Sequence, residues 1–234
     1  MKTIEQNYIE TLKLAIFNKI SSEINEKSID QILKIDLYKS HISNKNLGAF
    51  LLYYFKTLQN EELFLKTAFF QHFRNKYKLR ADNEYLDRLE SHKIDILKML
   101  QNDNITELYF KEFDKTKSKF RDKFIEKDQG SFFAKLVHTF RPDEYCALDN
   151  PIKNYFGLKN ESFFIAFSII SYEYKHWAKD NKELVKTIRD KFKLIDKDQI
   201  VNHKLLTDIK LLDLIFWSKA KKVKREKKED RILT

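Results

Sequence analysis

The chain has 234 residues, a net charge of +10 and 42% hydrophobic residues, but only three glycines and two prolines. So few turn-forming residues exclude a many-turned β-sandwich or β-barrel, and they also exclude the glycine-rich loops that bind dinucleotides or nucleoside triphosphates. The composition therefore predicts an all-α protein large enough to bury a substantial core.

Apolar side chains at three- and four-residue spacing predict helices along most of the chain. Residue pairs typical of capping boxes, Thr3 with Gln6 and Ser28 with Gln31, begin the first two helices. The predicted helices span residues 3–20, 28–37, 44–58, 60–80, 83–101, 104–126, 130–140, 149–157, 161–179, 181–193 and 197–220. We expect them to form one multi-helix globular bundle over residues 1–218, which could divide into close-packed lobes at 1–126 and 127–218.

The chain offers no sequence signal for a metal or for a disulfide. Its single cysteine, Cys146, has no intramolecular partner, and no Cys/His pair has the spacing of zinc ligands. We therefore predict no metal and no cofactor. The N-terminal residues lack the apolar core of a signal peptide, and no apolar run approaches the roughly 18–20 residues that span a bilayer. These features predict a cytoplasmic protein that does not bind a membrane.

The basic residues are concentrated at the C-terminus. Residues 219–234 contain eight Lys or Arg and three Asp or Glu, which is a net charge of +5. We expect this segment to be a flexible tail, and it has three interpretations: a solvated chain end, a contact to nucleic-acid phosphates, or a contact to an anionic membrane surface. The third is the least favoured, because the tail lacks the apolar face of an interfacial helix. On the second interpretation the candidate contacts are Lys221, Lys222, Lys224 and Arg225.

The most informative stretch is "AKLVHTFRPDEYCALDNPIKNYFGL" (134–158), which contains both prolines and the cysteine. A turn around Gly130 and Ser131 leads into the helix before it, and such a helix N-terminus exposes amides that can bind phosphate. Pro142 predicts an extended loop over 141–148. The next helix then begins with Asp149 or Asn150 as N-cap and Pro151 in its first turn.

This arrangement resembles the helix-hairpin-helix DNA glycosylase superfamily. In this chain "QGSFFAKLVH" (129–138) occupies the place of the hairpin exit, and "LDNPIKNYFGL" (148–158) occupies that of the segment with the catalytic aspartate. The resemblance covers residues 128–158 and implies that Asp149 is the catalytic carboxylate. One glycine stands where the family has two around a hydrophobic residue. The position that carries the Schiff-base lysine in bifunctional members of the family corresponds to a residue at or near Ser131, and Lys135 lies one turn further on, in the wrong register. Because that lysine is missing, the resemblance implies a monofunctional hydrolase.

The residues themselves leave alternatives open. Asp149 is either a catalytic carboxylate or only a helix cap, and the Asp-x-Pro pattern favours the cap. Lys135 and Lys153 lie near it in sequence and are candidate phosphate contacts. His138 is a candidate to orient a phosphate or a water, although a histidine beside Leu136 and Val137 is more typical of a buried, hydrogen-bonded residue.

The function that we expect from these features is DNA binding, with or without base excision. DNA is favoured over RNA as the nucleic-acid partner, and a protein partner is left open. The alternative is a non-enzymatic helical protein that serves as an adaptor in a bacterial defence or regulatory system.

Overall fold

The structure is a computed structural model that describes residues 4–60, 62–114, 116–120 and 123–230. Within these ranges the side chains of residues 4, 59, 116–120, 123–127 and 224–230 are left undescribed. The regular structure is almost entirely helical, so the predicted all-α class is confirmed. The one sheet in the described part of the chain is a two-stranded antiparallel hairpin. No helix among these residues is long and apolar enough to cross a membrane.

Helices follow one another closely through the N-terminal half. Its elements are α1 (Ile4–Glu23), a 3₁₀ turn (Glu26–Ser28), α2 (Ile29–Gln31), a first π-helix (Ile32–Ile42), α3 (Lys45–Gln59), α4 (Glu62–Leu65), α5 (Phe69–Tyr77), α6 (Asn83–Ser91), α7 (Lys93–Gln101), α8 (Ile105–Leu108) and a second π-helix (Tyr109–Phe113). The predicted helix 83–101 is interrupted at His92, which ends α6 and begins α7. The predicted helix 60–80 is likewise interrupted, at 66–68 between α4 and α5. The predicted capping box of Ser28 with Gln31 is wrong, because the Ser28 hydroxyl bonds the backbone of Asn25 instead, and Thr3 of the first capping box lies outside the described residues. Otherwise these elements match the predicted helices within about five residues.

The predicted helix 104–126 is wrong beyond Phe113. The chain there forms a hairpin of β1 (Thr116–Phe120) and β2 (Lys123–Lys127), in which Thr116 pairs with Lys127. Both segments, "TKSKF" and "KFIEK", contain residues with high strand preference, and charges at short spacing fit an alternating strand as well as a helix surface. Phe113 is buried as expected, whereas the side chains of Phe120 and Phe124 lie outside the described residues.

The C-terminal half carries the longer helices. They are α9 (Gly130–Phe140), α10 (Asn150–Tyr155), α11 (Phe163–Asp180), α12 (Lys182–Ile195) and α13 (Asp208–Asp230). Residues 141–148 form the irregular segment that Pro142 predicts. α13 begins later than expected because the Asp196 carboxylate accepts the amides of Ile200 and Val201 and thereby holds a turn. The predicted boundary at residue 219 falls within α13.

The buried apolar side chains form one cluster that extends from α1 to α13. α13 packs against the first π-helix, α10 and α11, while α1 packs along α11. A division into two lobes is therefore not confirmed. The aromatic residues serve mainly as core, with Phe73 stacked on Phe132 at 5.5 Å between ring centroids. This packing brings α3, α5, α9, α10 and α13 around a common space.

Candidate functional site

A cavity of about 600 Å³ lies where α3, α5, α9, α10 and α13 meet. Its aromatic wall is formed by Phe50, Tyr77 and Trp217. Apolar residues complete the rest of the wall, and the charged and polar residues of the lining are His41, Asn46, Asn75, Lys76, Lys78, Ser131, Lys135, Asp149, Lys210, Asp213 and Lys221. A few convergent polar groups in a largely apolar cavity of this volume are typical of a small-molecule site.

Asp149 is the N-cap of α10, as predicted. Its Oδ1 accepts the backbone N–H of Ile152 at 3.0 Å, and Pro151 occupies the first turn. The same side chain is half-buried and lines the cavity. Among the described residues no hydrogen bond or ion pair engages its Oδ2. The cap therefore fixes the carboxylate through one oxygen and leaves the other for a ligand.

Ser131 and Lys135 lie one turn apart on α9 and both line the cavity. The Lys135 ammonium donates to the Ser131 hydroxyl at 3.0 Å. Burial lowers the pKa of Lys135, while the charges of Asp149 and Asp213 act in the opposite direction. α9 thus places Lys135 in the same cavity as the candidate carboxylate of Asp149.

The Gly130 amide is engaged within the protein, so the structure gives no support to its predicted role in phosphate binding. Its N–H donates to Asp128 Oδ1 at 2.7 Å. The Phe163 side chain covers the residue so closely that a Cβ added to Gly130 would lie 2.4 Å from the ring. The glycine is thus required by packing between α9 and α11.

This packing predicts that Gly130→Ala is strongly destabilising. The added methyl group must displace the Phe163 ring, and overpacking of this kind costs about 1–3 kcal/mol. Gly48→Ala is the matched control, because the nearest atom to its added Cβ is 3.5 Å away and alanine stabilises a helix by roughly 0.5–1 kcal/mol over glycine. Urea unfolding measures both variants. A Gly130→Ala protein as stable as the wild type would contradict the described contact with Phe163.

His138 is completely buried, at 0% exposure, and direct contact with a phosphate is therefore not open to it. Its Nδ1 donates to the Tyr145 carbonyl at 2.6 Å, so its Nε2 accepts the Tyr54 hydroxyl at 3.0 Å. Burial lowers the pKa of His138 well below its usual value, which keeps the ring neutral. His138 is therefore the buried, hydrogen-bonded residue that its apolar neighbours Leu136 and Val137 indicated.

The remaining predicted contacts are dispersed. Lys153 is buried, and its ammonium donates to the Glu161 carbonyl rather than lining the cavity. Lys221 lines the cavity with its ammonium 4.4 Å from the centroid of the Trp217 ring. Lys222 is exposed. Lys224 and Arg225 lie on α13, but their side chains are outside the described set.

The structure adds two charged residues that the sequence analysis missed, Lys210 and Asp213. Each is only 4% exposed, and both line the cavity. Burial raises the pKa of Asp213 to about 6 and lowers the pKa of Lys210 to about 8. The signal that could have identified them is the pair of charges in the apolar run "IKLLDLIFW" (209–217).

No family model, curated protein or solved structure matches this chain. The interpretation of the cavity therefore depends on its own geometry. Of the predicted site residues, Ser131, Lys135, Asp149 and Lys221 converge there, and Asp213 joins them from α13.

Proposed function

We propose that the protein binds nucleic acid, DNA in preference to RNA, and hydrolyses the N-glycosidic bond of a base held in the cavity. The observation that carries this proposal is the position of Asp149 in a cavity of about 600 Å³ that is also lined by lysines. Such a volume is within the range of sites that enclose a small ligand and is sufficient for a base with its sugar. The resemblance of residues 128–158 to DNA glycosylases supports the same role for Asp149.

The chemistry that this role needs is modest. When the bond between C1′ of the sugar and the base nitrogen breaks, positive charge develops on the sugar, and a fixed carboxylate stabilises it. A water then forms the new C1′–O bond, and its proton is transferred to the departing base. The carboxylate of Asp149 is held by the Ile152 amide, and its second oxygen can orient that water.

The charge around the cavity suits a polyanionic ligand. Lys76 and Lys78 are exposed at the end of α5 and also line the cavity. Lys221 on α13 also lines the cavity, and this helix continues through the basic residues to Asp230. Cations beside the cavity would bind the phosphates that flank an inserted base, and release of their counterions favours binding.

The phosphate contacts predict a strong dependence of DNA affinity on salt. Each neutralised phosphate contributes a slope of about −0.9 in log affinity against log salt, so Lys76→Gln combined with Lys78→Gln should reduce the slope by up to about 1.8. Fluorescence anisotropy with a labelled duplex measures it. Lys182→Gln combined with Lys186→Gln is the control, because both lysines are exposed on α12 and neither lines the cavity.

Two outcomes would oppose DNA binding by this surface. The first is an equal loss of slope in the α5 variant and the α12 control, which would show that the positive charge acts without a defined contact. The second is no binding to duplex or single-stranded DNA even at low salt, which would favour the non-enzymatic interaction protein.

A further inference from the structure

Two charged side chains, Lys210 and Asp213, enter the same cavity from α13. They are three residues apart and therefore lie on the same face of the helix. Each is only 4% exposed. Buried charges are costly unless they are paired and hydrogen-bonded, so their partners decide whether this pair serves the fold or a ligand.

Asp213 is only partly satisfied by the protein. Its Oδ2 accepts the Ala147 amide at 2.7 Å, but its Oδ1 is buried and has no hydrogen-bond partner in the described part of the chain. His138 Nε2 is 3.6 Å from Oδ2, yet this nitrogen accepts the Tyr54 hydroxyl and has no proton to give. Because the Asp213 side chain lines the cavity, a ligand bound there can supply the donor that Oδ1 lacks.

Lys210 also has unused hydrogen-bonding capacity. Its ammonium lies 4.2 Å from the centroid of the Tyr54 ring, a cation–π contact that supplies no acceptor oxygen. Among the described residues it has no hydrogen bond and no ion pair within 4.0 Å, so it is not joined directly to Asp213. The two side chains, neighbours on one helix face, thus present a free acceptor and free donors to the same cavity.

The rest of the lining favours a flat ligand. Phe50, Tyr77 and Trp217 provide ring surfaces, and aromatic rings stack on the faces of nucleobases regardless of their sequence. A flat ring held between these side chains would present its edge to the two charges on α13. An edge with one donor next to one acceptor complements them.

We propose that Asp213 and Lys210 recognise the lactam edge of a nucleobase, which is the ring N–H next to a carbonyl in hypoxanthine, guanine and uracil. The Asp213 carboxylate accepts the ring N–H, and the Lys210 ammonium donates to the carbonyl oxygen. This inference rests on the proposed function, since it requires that the cavity receives a base. A base without that N–H leaves the buried Oδ1 unpaired and is rejected.

Free nucleosides test the inference without DNA. The probes are inosine with 1-methylinosine and uridine with 3-methyluridine, because each methyl group replaces the ring N–H. Isothermal titration calorimetry gives the affinities, and Trp217 in the cavity wall provides a fluorescence signal that Trp217→Phe removes. We expect at least one parent nucleoside to bind about tenfold or more tightly than its methylated partner, as for other paired base contacts.

Asp213→Asn is the sharpest variant. Its amide oxygen has to occupy the Oδ2 position to accept the Ala147 N–H. The NH₂ group then occupies the Oδ1 position, where its N–H donors face the ring N–H of the base. We expect the parent nucleoside to lose about tenfold in affinity and the difference from its methylated partner to disappear. Lys210→Met should weaken both nucleosides, since each keeps the carbonyl. The matched controls are Asp198→Asn and Lys204→Met, both exposed and outside the cavity lining.

The outcomes separate this inference from the proposed function. Equal affinity for parent and methylated nucleosides in the wild-type protein overturns the inference, as does discrimination that survives Asp213→Asn. Neither result bears on DNA binding, which the salt-dependent anisotropy measures. Selective nucleoside binding by a protein that neither binds DNA nor releases a base would support the inference and refute the proposed function.

Discussion

Replacing Asp149 by asparagine is expected to abolish base release while leaving the free energy of unfolding nearly unchanged. Asparagine caps a helix about as well as aspartate, so the bond from the Ile152 amide to the side-chain oxygen persists. The amide lacks the negative charge that stabilises the sugar cation, and loss of one such electrostatic interaction reduces the rate about 100-fold or more. Single-turnover base release and urea unfolding, measured on the same protein, give both values.

Asp149→Ala is the matched control for the cap. It removes both the charge and the acceptor, so we expect no base release together with a loss of roughly 0.5–2 kcal/mol in unfolding free energy. Base release that survives in the asparagine variant would remove Asp149 from the mechanism. A large loss of stability in the asparagine variant would contradict the described cap.

Asp213→Asn is expected to stabilise the folded protein at neutral pH, although it impairs ligand recognition. The pKa of Asp213 is raised from 3.8 to about 6, which corresponds to about 3 kcal/mol of unfavourable free energy for the ionised group. The amide does not ionise and keeps the bond from Ala147. Because Lys210 also loses a nearby opposite charge, we expect a gain between zero and about 3 kcal/mol in the unfolding free energy.

The direction of each pKa shift determines how the free energy of unfolding of the wild-type protein changes with pH. A carboxyl group whose pKa is higher in the folded state destabilises that state once it ionises, so wild-type stability should fall as the pH rises from about 4 to 6. The contribution of Lys210, whose pKa is lowered to about 8, has the opposite sign: the destabilisation is present below pH 8 and disappears as the pH rises towards 10.5. The charges of Lys135 and Asp149 also act on Asp213.

Asp196→Asn is the control for a buried aspartate that the fold requires. Its two oxygens accept the amides of Ile200 and Val201, and Oδ2 also lies 3.1 Å from His203 Nε2. An amide can replace only one of these acceptors, so we expect this variant to be destabilised by about 1–3 kcal/mol. Urea unfolding across pH 4–10 compares the two variants. Equal destabilisation of both would mean that Asp213 is also a structural residue.

Much of the fold could be predicted from local sequence. Apolar stripes predicted the positions of most helices, the Asp149 cap predicted the start of α10, and Pro142 predicted the irregular segment at 141–148. The hairpin at 116–127 was missed because its alternating charges fit both a strand and a helix surface. The late start of α13 depends on Asp196, whose carboxylate binds amides four and five residues further along the chain, a turn that no periodicity indicates.

The site was predictable only where a local signal existed. Asp149 could be found because capping is a local sequence pattern, whereas its position in the cavity depends on the tertiary packing of the helices. Gly130 was assigned to phosphate binding because nothing in the sequence shows that Phe163 covers it. Lys210 and Asp213 were overlooked because two charges in an apolar helix can equally mark its solvent-facing side. Only the packing of α13 shows that they are buried.

The proposed activity is tested most directly by base release from duplexes that each carry one damaged or mismatched base, with the wild-type protein in excess. We predict that at least one base is released and that an intact strand with an abasic site remains, which breaks only on treatment with alkali. Strand cleavage without alkali would contradict the monofunctional mechanism. No release from any duplex that the protein demonstrably binds would contradict the assignment of the cavity to base excision.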